Sequence, residues 1–403
     1  MATERLYYSD SYLTDFSARV LKCEPADGAW RVLLDASAFY PTSGGQPYDT
    51  GFLGAARVED VTVNSAGEVW HTVDQPLPEG SEVRGRIDWE RRFDHMQQHA
   101  GEHMIAGAIH RLLNGHTIGL HLGHDASSID VDLPGGATRV DEESLLLIED
   151  AVNRDIQRNL PIRCWFPDEA ELSRLPLRKP PTVREHIRIV MIGDEECVAC
   201  GGTHPAHTGE IGLVKILDAR PSKGKMRVTF VCGQRAVLDY RMRFEAAREA
   251  ARLLSTEVES LGAAVSHQLE KTKEAERALG ALRREQILEK AREAIRSPEC
   301  LPNGLKAAAC VFEGADAFAL RDAANEITSA GLIALLSAGT QKGSLLLFAV
   351  PPSVPVSAGR LLSETCRVLG GKGGGRPDFA QGAAPGGEAL KLALENLARE
   401  AAE

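Results

Sequence analysis

The two stretches His99-Ala100-Gly101-Glu102-His103 and Cys200-Gly201-Gly202-Thr203-His204 decide how this 403-residue chain must fold. In each stretch, two side chains that bind metals stand four positions apart, so both can reach one ion. Together they offer three imidazoles and one thiolate, a ligand set suited to tetrahedral Zn²⁺. The sequence therefore predicts a zinc site. Its predicted ligands are His99, His103, Cys200 and His204.

The histidine stretch is expected to lie on a helix. Apolar residues recur at helical spacing from Phe93 to Leu112, and Gly115 follows as a natural helix stop. Helix positions four apart share a face, so His99 and His103 are predicted to point the same way.

The histidine pair is not the metalloprotease motif His-Glu-x-x-His. Ala100 occupies the position where that motif has its catalytic glutamate, and Glu102 is expected on another side of the helix. Protease chemistry is therefore not expected. The cysteine stretch is different in kind, because its two glycines predict a tight loop whose backbone can approach an ion or a substrate closely.

Length and composition indicate a globular protein of two to four domains. The chain is 43% hydrophobic and 26% charged, and no apolar run reaches the roughly 18 residues of a membrane span. The N-terminus lacks the basic and then apolar pattern of a signal peptide, so a cytoplasmic location is expected. In that compartment the eight cysteines are better interpreted as thiols or ligands than as a disulfide framework. The net charge of −11 means that any RNA contact must come from local basic patches.

The hydrophobic pattern predicts an α+β protein with four regions. Residues 1–90 alternate short strands with turn signals, as in a small antiparallel barrel. Residues 91–233 indicate one α+β domain that holds the zinc site. Residues 234–297 are rich in Glu, Arg, Lys, Ala and Leu, which favours a helical hairpin or coiled-coil connector. Residues 298–403 alternate apolar strands with helical segments and predict a small C-terminal α/β domain.

Two glycine-rich segments leave alternatives open. Residues 39–51 are too rich in turn residues for a plain strand, so they form either a long hairpin connection or a loop that approaches a ligand. Residues 370–375, with Lys372 and Arg376, could bring backbone N–H groups and cations to a phosphate, or could be a flexible linker.

These motifs resemble the editing domain of alanyl-tRNA synthetase and, more closely, the free-standing AlaX alanyl-tRNA editing proteins. The matching segments, which also share the family's order and separation, are residues 40–47, 95–103, 119–123 and 199–204. The glycine-rich tip with Arg376-Pro377-Asp378 is similar to the C-Ala domain that follows editing domains in the synthetase. The resemblance covers nearly the whole chain and points to the long AlaX form.

The resemblance implies a zinc-dependent aminoacyl-tRNA deacylase. Its expected substrate is mischarged tRNA(Ala), chiefly Ser-tRNA(Ala). Because no aminoacylation domain precedes the barrel, we expect editing in trans without charging activity. The C-terminal region is then expected to bind tRNA, and it could also form a homodimer.

The chemistry that this activity requires is modest. An aminoacyl ester is already activated, so hydrolysis needs mainly a positioned water and a stabilised oxyanion. Zinc can serve both needs if one coordination position stays open. Four protein ligands would close the site, so we expect His204 to be loosely bound or displaced. Direct Lewis-acid activation is the preferred mechanism, and a zinc that only positions the substrate is the alternative.

Selectivity requires that seryl esters be separated from alanyl esters, which lack one hydroxyl. Thr42 and Gln46 are the predicted groups that recognise this hydroxyl or position the ester, while Gly44 and Gly45 allow close approach. The alternative for Thr42 is that it only caps a turn. Further substrate-binding candidates are His121, Lys372 and Arg376.

Three other interpretations remain. Cys197 lies three positions before Cys200, and Cys-x-x-Cys is itself a zinc spacing, although the resemblance places no ligand there. A rival function is a non-catalytic tRNA-binding protein with a closed, structural zinc. A second rival is an enzyme acting on another RNA-linked ester or phosphate, although the sequence has no Asp-His-His motif.

Overall fold

The computed structural model describes residues 2–26, 28–181, 183, 185–340, 343–384 and 388–400. The chain divides into two compact units, Met1–Glu249 and Ala250–Glu403. The predicted α+β class with an N-terminal β-barrel is confirmed. The finer division into four regions stays a prediction. No helix among the described residues is both long and apolar enough to cross a membrane.

The first unit begins with a closed barrel. This part of the chain forms β1 (Glu4–Arg5), α1 (Leu6–Ser9), β2 (Asp15–Ala26), β3 (Ala29–Leu34), β4 (Ala36–Ser37), β5 (Gly51–Leu53), β6 (Ala56–Val63), β7 (Val69–Val73) and β8 (Glu82–Ile87). The barrel order is β2-β3-β7-β6-β5-β8, and β8 pairs with β2 to close it. Buried and exposed residues alternate strictly along β8, because successive side chains of a strand point to opposite faces.

Helix α2 (Trp89–Leu113) follows the barrel and carries the histidine pair, as the sequence predicted. It begins where the Asp88 side chain accepts a hydrogen bond from the backbone N–H of Arg91, and it ends at Asn114 in the left-handed conformation. Every residue from 95 to 109 is buried. A helix that is covered on all sides belongs to the interior, so the histidines sit inside the unit.

The remainder of the first unit surrounds α2. It consists of β9 (His116–Leu122), β10 (Ser127–Asp132), α3 (Glu142–Gln157), β11 (Ile162–Trp165), α4 (Glu169–Leu172), β12 (Ile189–Ile192), β13 (Glu196–Ala199), β14 (Val214–Ser222), β15 (Lys225–Cys232) and, up to Glu249, α5 (Gln234–Leu253). One sheet has the order β14-β15-β10-β9 and another the order β11-β12-β13. Apolar residues of α2, α3 and both sheets share one core, and β13 leads directly into the cysteine loop.

The second unit is a six-stranded sheet with helices. Its elements are α6 (Leu261–Arg296), β16 (Glu299–Cys300), β17 (Lys306–Glu313), α7 (Ala317–Ser329), β18 (Ile333–Thr340), β19 (Gly343–Ala349), α8 (Ala358–Val368), β20 (Lys372–Gly375), β21 (Phe379–Ala384) and α9 (Ala389–Glu400). The strand order is β16-β17-β18-β19-β21-β20. Within α6, Ile287 and Ala291 are the buried residues, so the predicted coiled-coil pairing of this helix stays a prediction.

The glycine run at 370–375 is largely an edge strand, so its interpretation as a flexible linker is wrong. Strand β20 pairs with β21, and its glycines allow close packing. A Cβ atom on Gly373 would lie 2.6 Å from Leu362 Cδ2 and 2.8 Å from Gly382 Cα. One on Gly375 would lie 2.3 Å from the Phe379 carbonyl oxygen. Close approach of α8 and β21, rather than mobility, therefore explains these glycines.

Candidate metal centre

The four predicted ligands form one cluster. One ligand atom from each of His99, His103, Cys200 and His204 lies within 4.8 Å of all the others. Cys200 Sγ is 3.3 Å from His99 Nε2 and 3.4 Å from His204 Nε2. Tetrahedral zinc with ordinary bond lengths would hold sulfur and nitrogen about 3.6 Å apart. The arrangement could therefore hold a metal ion of this size.

Local structure explains how the cysteine loop meets the helix. The Arg188 guanidinium donates to the carbonyl oxygens of Cys200 (3.1 Å) and Gly202 (2.9 Å), which holds the loop after β13 in place. Gly202 lies against the His99 ring, where a Cβ atom would come within 2.3 Å of His99 Cε1. The second glycine of the motif is thus required by the helix histidine that packs on it.

Gln46 lies behind His99 and orients it. His99 Nδ1 is 2.8 Å from Gln46 Oε1, which also accepts from the backbone N–H of Thr203 at 3.2 Å. Gln46 Nε2 donates to Thr203 Oγ1 at 2.9 Å. Because the amide oxygen can only accept, His99 carries its proton on Nδ1 and leaves the Nε2 lone pair free for a metal. Gln46 is fully buried, and its predicted contact with substrate stays a prediction.

Several ring nitrogens in the cluster lack protein partners. Both ring nitrogens of His103 and Nδ1 of His204 are buried without a hydrogen bond from the part of the chain that the structure describes. His103 Nδ1 is 3.2 Å from a Glu102 carboxyl oxygen but forms no hydrogen bond with it. A buried polar atom left unpaired costs roughly 1–3 kcal/mol, which coordination to an ion would offset. The donor set therefore fits a bound metal.

Burial also sets the protonation of the cluster. It lowers the pKa of His99 to about 3, with a further contribution from the Arg188 charge, and lowers the pKa of His103 and His204 well below the usual value. All three imidazoles are therefore neutral near pH 7, as metal ligation requires. Burial raises the pKa of the Cys200 thiol to about 12, so a metal that binds here must displace the thiol proton.

A cavity of about 900 Å³ opens beside the cluster. Its lining includes four basic and three aromatic side chains: Arg5, Arg178, Lys179, Arg188, Tyr8, Tyr40 and Phe166. Phe166 is 47% exposed and makes an edge contact with Tyr8, with ring centroids 5.5 Å apart. Cations combined with accessible rings suit a phosphate backbone and its bases. The sequence analysis did not single out Tyr8 and Phe166, because neither belongs to a motif, whereas Tyr40 begins the segment 40–47.

Glu102 also lines this cavity, although the sequence analysis placed it on another side of the helix. It precedes His103 by one position and follows His99 by three, so its long side chain reaches the same face. Burial raises the pKa of Glu102 to about 7.

The predicted loop residues separate into different environments. Gly44 lines the cavity. Gly45 instead packs on β9, where a Cβ atom would lie 2.4 Å from the Leu120 carbonyl oxygen. Thr42 is exposed and is absent from the described lining, and its Oγ1 accepts from the backbone N–H of Tyr48 at 3.2 Å. The role predicted for Thr42 therefore stays a prediction.

The remaining candidates lie outside the cavity lining that the structure describes. His121 is exposed on β9. Cys197 is buried in β13 and does not belong to the four-residue metal group. In the second unit, Lys372 begins β20 and is exposed, while Arg376 follows the strand and forms an exposed ion pair with Asp378 at 3.3 Å.

Comparisons with known proteins agree with this picture. The family described as "Threonyl and Alanyl tRNA synthetase second additional domain" matches residues 187–229, and the DHHA1 domain family matches residues 304–403. The chain is 32% identical to an alanine–tRNA ligase of Pyrococcus abyssi over 98% of its own length and 43% of the ligase. It is 35% identical to that of Halobacterium salinarum, over 98% and 44% respectively. The chain thus spans less than half the length of these relatives.

A crystal structure of the C-Ala domain from Aquifex aeolicus alanyl-tRNA synthetase is 27% identical over 25% of this chain and 98% of that domain, with a TM-score of 0.24. The sequence matches define a chain related, along nearly its whole length, to part of the alanyl-tRNA synthetases. The resemblance to alanyl-tRNA synthetase regions that the motifs predicted is confirmed, and the assignment to the free-standing AlaX proteins stays a prediction.

Proposed function

We propose that this protein is a zinc-dependent hydrolase that deacylates mischarged tRNA(Ala), chiefly Ser-tRNA(Ala), in trans and without aminoacylation activity. The observation that carries the proposal is the group of three histidines and one cysteine, of which His99, His103 and Cys200 line a cavity. This group lies in a chain that is related to part of the alanine–tRNA ligases. The partner would be tRNA(Ala) that bears a non-cognate amino acid.

The residues of the cluster have separable tasks in this proposal. When bound, zinc supplies Lewis-acid polarisation of the ester carbonyl and a water whose pKa falls to roughly 7. Gln46 keeps the His99 proton on Nδ1, and Arg188 holds the cysteine loop. His204 Nδ1 has no hydrogen-bond partner among the described residues, so no hydrogen bond at this nitrogen fixes its ring. This supports the expectation that His204 is the ligand that yields its position.

The cavity walls would hold the acylated 3′ end of the tRNA. Arg5 and Lys179 bring positive charge to the cavity, while Phe166 offers an accessible ring for stacking with a base. Stacking on an aromatic ring contributes roughly 1–3 kcal/mol per base and tolerates any base. The walls would therefore anchor the nucleotide while the cluster acts on the ester.

Lys372 and Arg376 would contact the body of the tRNA. Contacts with phosphates add affinity without reading bases, and removing one should reduce the salt slope of binding by about 1. We expect Arg376→Ala to weaken tRNA binding severalfold and to flatten its salt dependence, measured with the full-length chain. Arg367→Ala, which changes an exposed arginine on α8, is the matched control. Equal affinity of Arg376→Ala and the unchanged protein across the salt series would contradict this role.

Homodimerisation through the C-terminal region stays a prediction. Light scattering of the same proteins must show equal oligomeric states before weaker binding is attributed to a lost phosphate contact. A monomer at micromolar concentration would contradict the dimer prediction.

The deciding experiment compares deacylation of Ser-tRNA(Ala) and Ala-tRNA(Ala) by the purified protein. We expect faster hydrolysis of the seryl ester, loss of activity on chelation, recovery with zinc, and no charging of tRNA(Ala). Stoichiometric zinc without deacylation would favour the second candidate, a non-catalytic tRNA-binding protein with structural zinc. The set of four protein ligands is the observation in favour of that candidate, because structural sites are closed.

A further inference from the structure

A buried carboxyl group faces the cavity beside the metal ligands. Glu102 is 5% exposed and lines the cavity together with its neighbour His103. The cation Arg178 is engaged elsewhere, since its Nε donates to Glu196 (2.7 Å) and its Nη1 donates to Thr117 Oγ1 (2.9 Å). Within the described residues, no hydrogen-bond donor reaches the Glu102 carboxyl group. This group therefore has acceptor capacity that the described residues leave unused.

The Glu102 oxygens are open to the cavity, since they are not among the fully buried polar atoms that lack a partner in the described part of the chain. A ligand that excludes water from the cavity must supply donors to this acceptor, because a buried polar group left unpaired is destabilising and the penalty is larger when the group is charged. Arg178 and Lys179 interact favourably with the Glu102 charge and Glu196 interacts unfavourably, but none of them forms an ion pair with Glu102 in the structure. The unused oxygens point to a cationic ligand group that enters the cavity.

The substrate of the proposed function carries such a group. An aminoacyl ester has an α-ammonium with three N–H donors on the carbon next to the ester carbonyl. If the carbonyl lies at the His99, His103 and Cys200 side chains, the ammonium is only two bonds away. Glu102 is adjacent in sequence to His103 and opens into the same cavity, so its carboxylate is in the right region to meet the ammonium.

We propose that Glu102 is a specificity-determining residue whose carboxylate accepts hydrogen bonds from the α-ammonium group of the aminoacyl ester. This inference rests on the proposed function and adds the chemical feature that the cavity selects. Esters whose α-nitrogen is acylated, or replaced by a hydroxyl, lack the charged donor and bind poorly. The cavity thereby separates aminoacyl-tRNA from peptidyl-tRNA and from hydroxyacyl-tRNA.

The test uses two non-hydrolysable ligands and the zinc-loaded, full-length protein. One ligand is adenosine with a serine joined to its 3′ position through an amide, and the other is the same molecule with a hydroxyl in place of the α-amine. Calorimetry should show that the unchanged protein prefers the amine by roughly 10- to 100-fold, the range expected for a charged hydrogen bond. Glu102→Gln should reduce that preference to within about threefold. Glu90→Gln, an exposed change in the first turn of the same helix, should keep the full preference.

The result that overturns the inference is equal binding of both ligands by the unchanged protein, which needs no variant to fold. A Glu102→Gln variant that weakens both ligands equally and keeps their ratio also overturns it, because the residue then acts through His103. Metal content is measured for each variant, and Glu102→Asp, which keeps the charge, should restore part of the preference. Failure of the proposed function is separable: the unchanged protein would then bind the amine selectively yet leave Ser-tRNA(Ala) intact.

Discussion

Buried histidines occur in two regions of the first unit, and their ring nitrogens differ. In the barrel, His71 Nδ1 donates to the Val32 carbonyl oxygen (3.1 Å) and Nε2 accepts from the Ser37 hydroxyl (2.8 Å). At the metal cluster, both nitrogens of His103 and one of His204 lack hydrogen-bond partners among the described residues. Burial alone therefore does not mark a functional histidine. An unpaired nitrogen alone does not either, since His95 and His110 each have one. The cluster is distinguished because its unpaired nitrogens lie among four side chains that could hold one metal ion.

The largest effect should follow from removing a ligand of the cluster. Cys200→Ala deletes the thiolate, and we expect metal affinity and deacylation to fall by more than about 100-fold, beyond the roughly 10- to 100-fold effect of a residue that only supports a ligand. Metal analysis and the deacylation assay measure both. Cys197→Ala is the matched control, because this buried thiol lies outside the cluster. Stoichiometric zinc and unchanged activity in Cys200→Ala would remove the contrast between the two histidine regions.

A smaller effect should follow from removing the hydrogen bond between Gln46 and His99 Nδ1. Gln46→Ala releases His99 Nδ1, and we expect metal affinity to fall roughly 10- to 100-fold while the four ligands remain. Competition with a chelator measures the affinity. Thr203→Val removes a different hydrogen bond of Gln46 but keeps the one to His99, so it should have the smaller effect. Equal affinities of Gln46→Ala and the unchanged protein would show that His99 needs no orientation.

The ligand set was predictable because local spacing carries it. Four-residue separations and a glycine-rich loop are visible in the sequence, and the structure brings those residues together. The hydrogen bonds that orient the ligands were not predictable, since Gln46 is 53 residues from its partner His99 and 157 residues from its partner Thr203. No pattern within one segment records such contacts. Glu102 was misplaced because the helical pattern specifies the direction of Cβ but not how far a long side chain reaches.

The fold shows the same division between local and non-local information. The barrel predicted for residues 1–90 is observed, and in β8 buried and exposed residues alternate along the strand as its apolar pattern indicates. The glycine run at 370–375 did not reveal its structure. The sequence does not show whether a glycine permits a turn or allows another element to pack closely. Here Gly373 lies against α8 and β21, and Gly375 lies against β21.

His71, whose two ring nitrogens are both hydrogen-bonded, should make the free energy of unfolding depend on pH. Burial lowers the pKa of His71 to about 4, against an ordinary value of 6.5, so the unfolded chain binds this proton more readily. The stability that the neutral His71 ring contributes is present above pH 6.5 and is lost as pH falls towards 4. The loss amounts to about 2 kcal/mol at pH 5. Denaturant unfolding should show that the free energy of unfolding falls less between pH 7 and pH 5 in His71→Gln than in the unchanged protein. The difference should be about 2 kcal/mol.

Tryptophan fluorescence is a suitable probe for this measurement, because all four tryptophans lie in the first unit. His124→Gln, a change at a 95% exposed side chain, is the control and should lose as much stability as the unchanged protein. Protonation of the cluster histidines contributes to all three proteins and cancels in the comparison. An identical loss in His71→Gln would show that this ring does not remain neutral in the fold.

The smallest effect concerns hydroxyl groups, where the same contrast applies. The Ser37 hydroxyl forms two hydrogen bonds: it accepts from the Phe39 N–H and donates to His71 Nε2. Thr42 accepts from the Tyr48 N–H, but its own hydrogen has no acceptor among the described residues and remains available to a substrate. Thr42→Val removes the hydroxyl with little change in volume. We expect the ratio of seryl to alanyl deacylation to fall by about 2- to 10-fold, the value of one net hydrogen bond. An unchanged ratio, accompanied by a loss of stability in denaturant, would assign Thr42 to the turn alone.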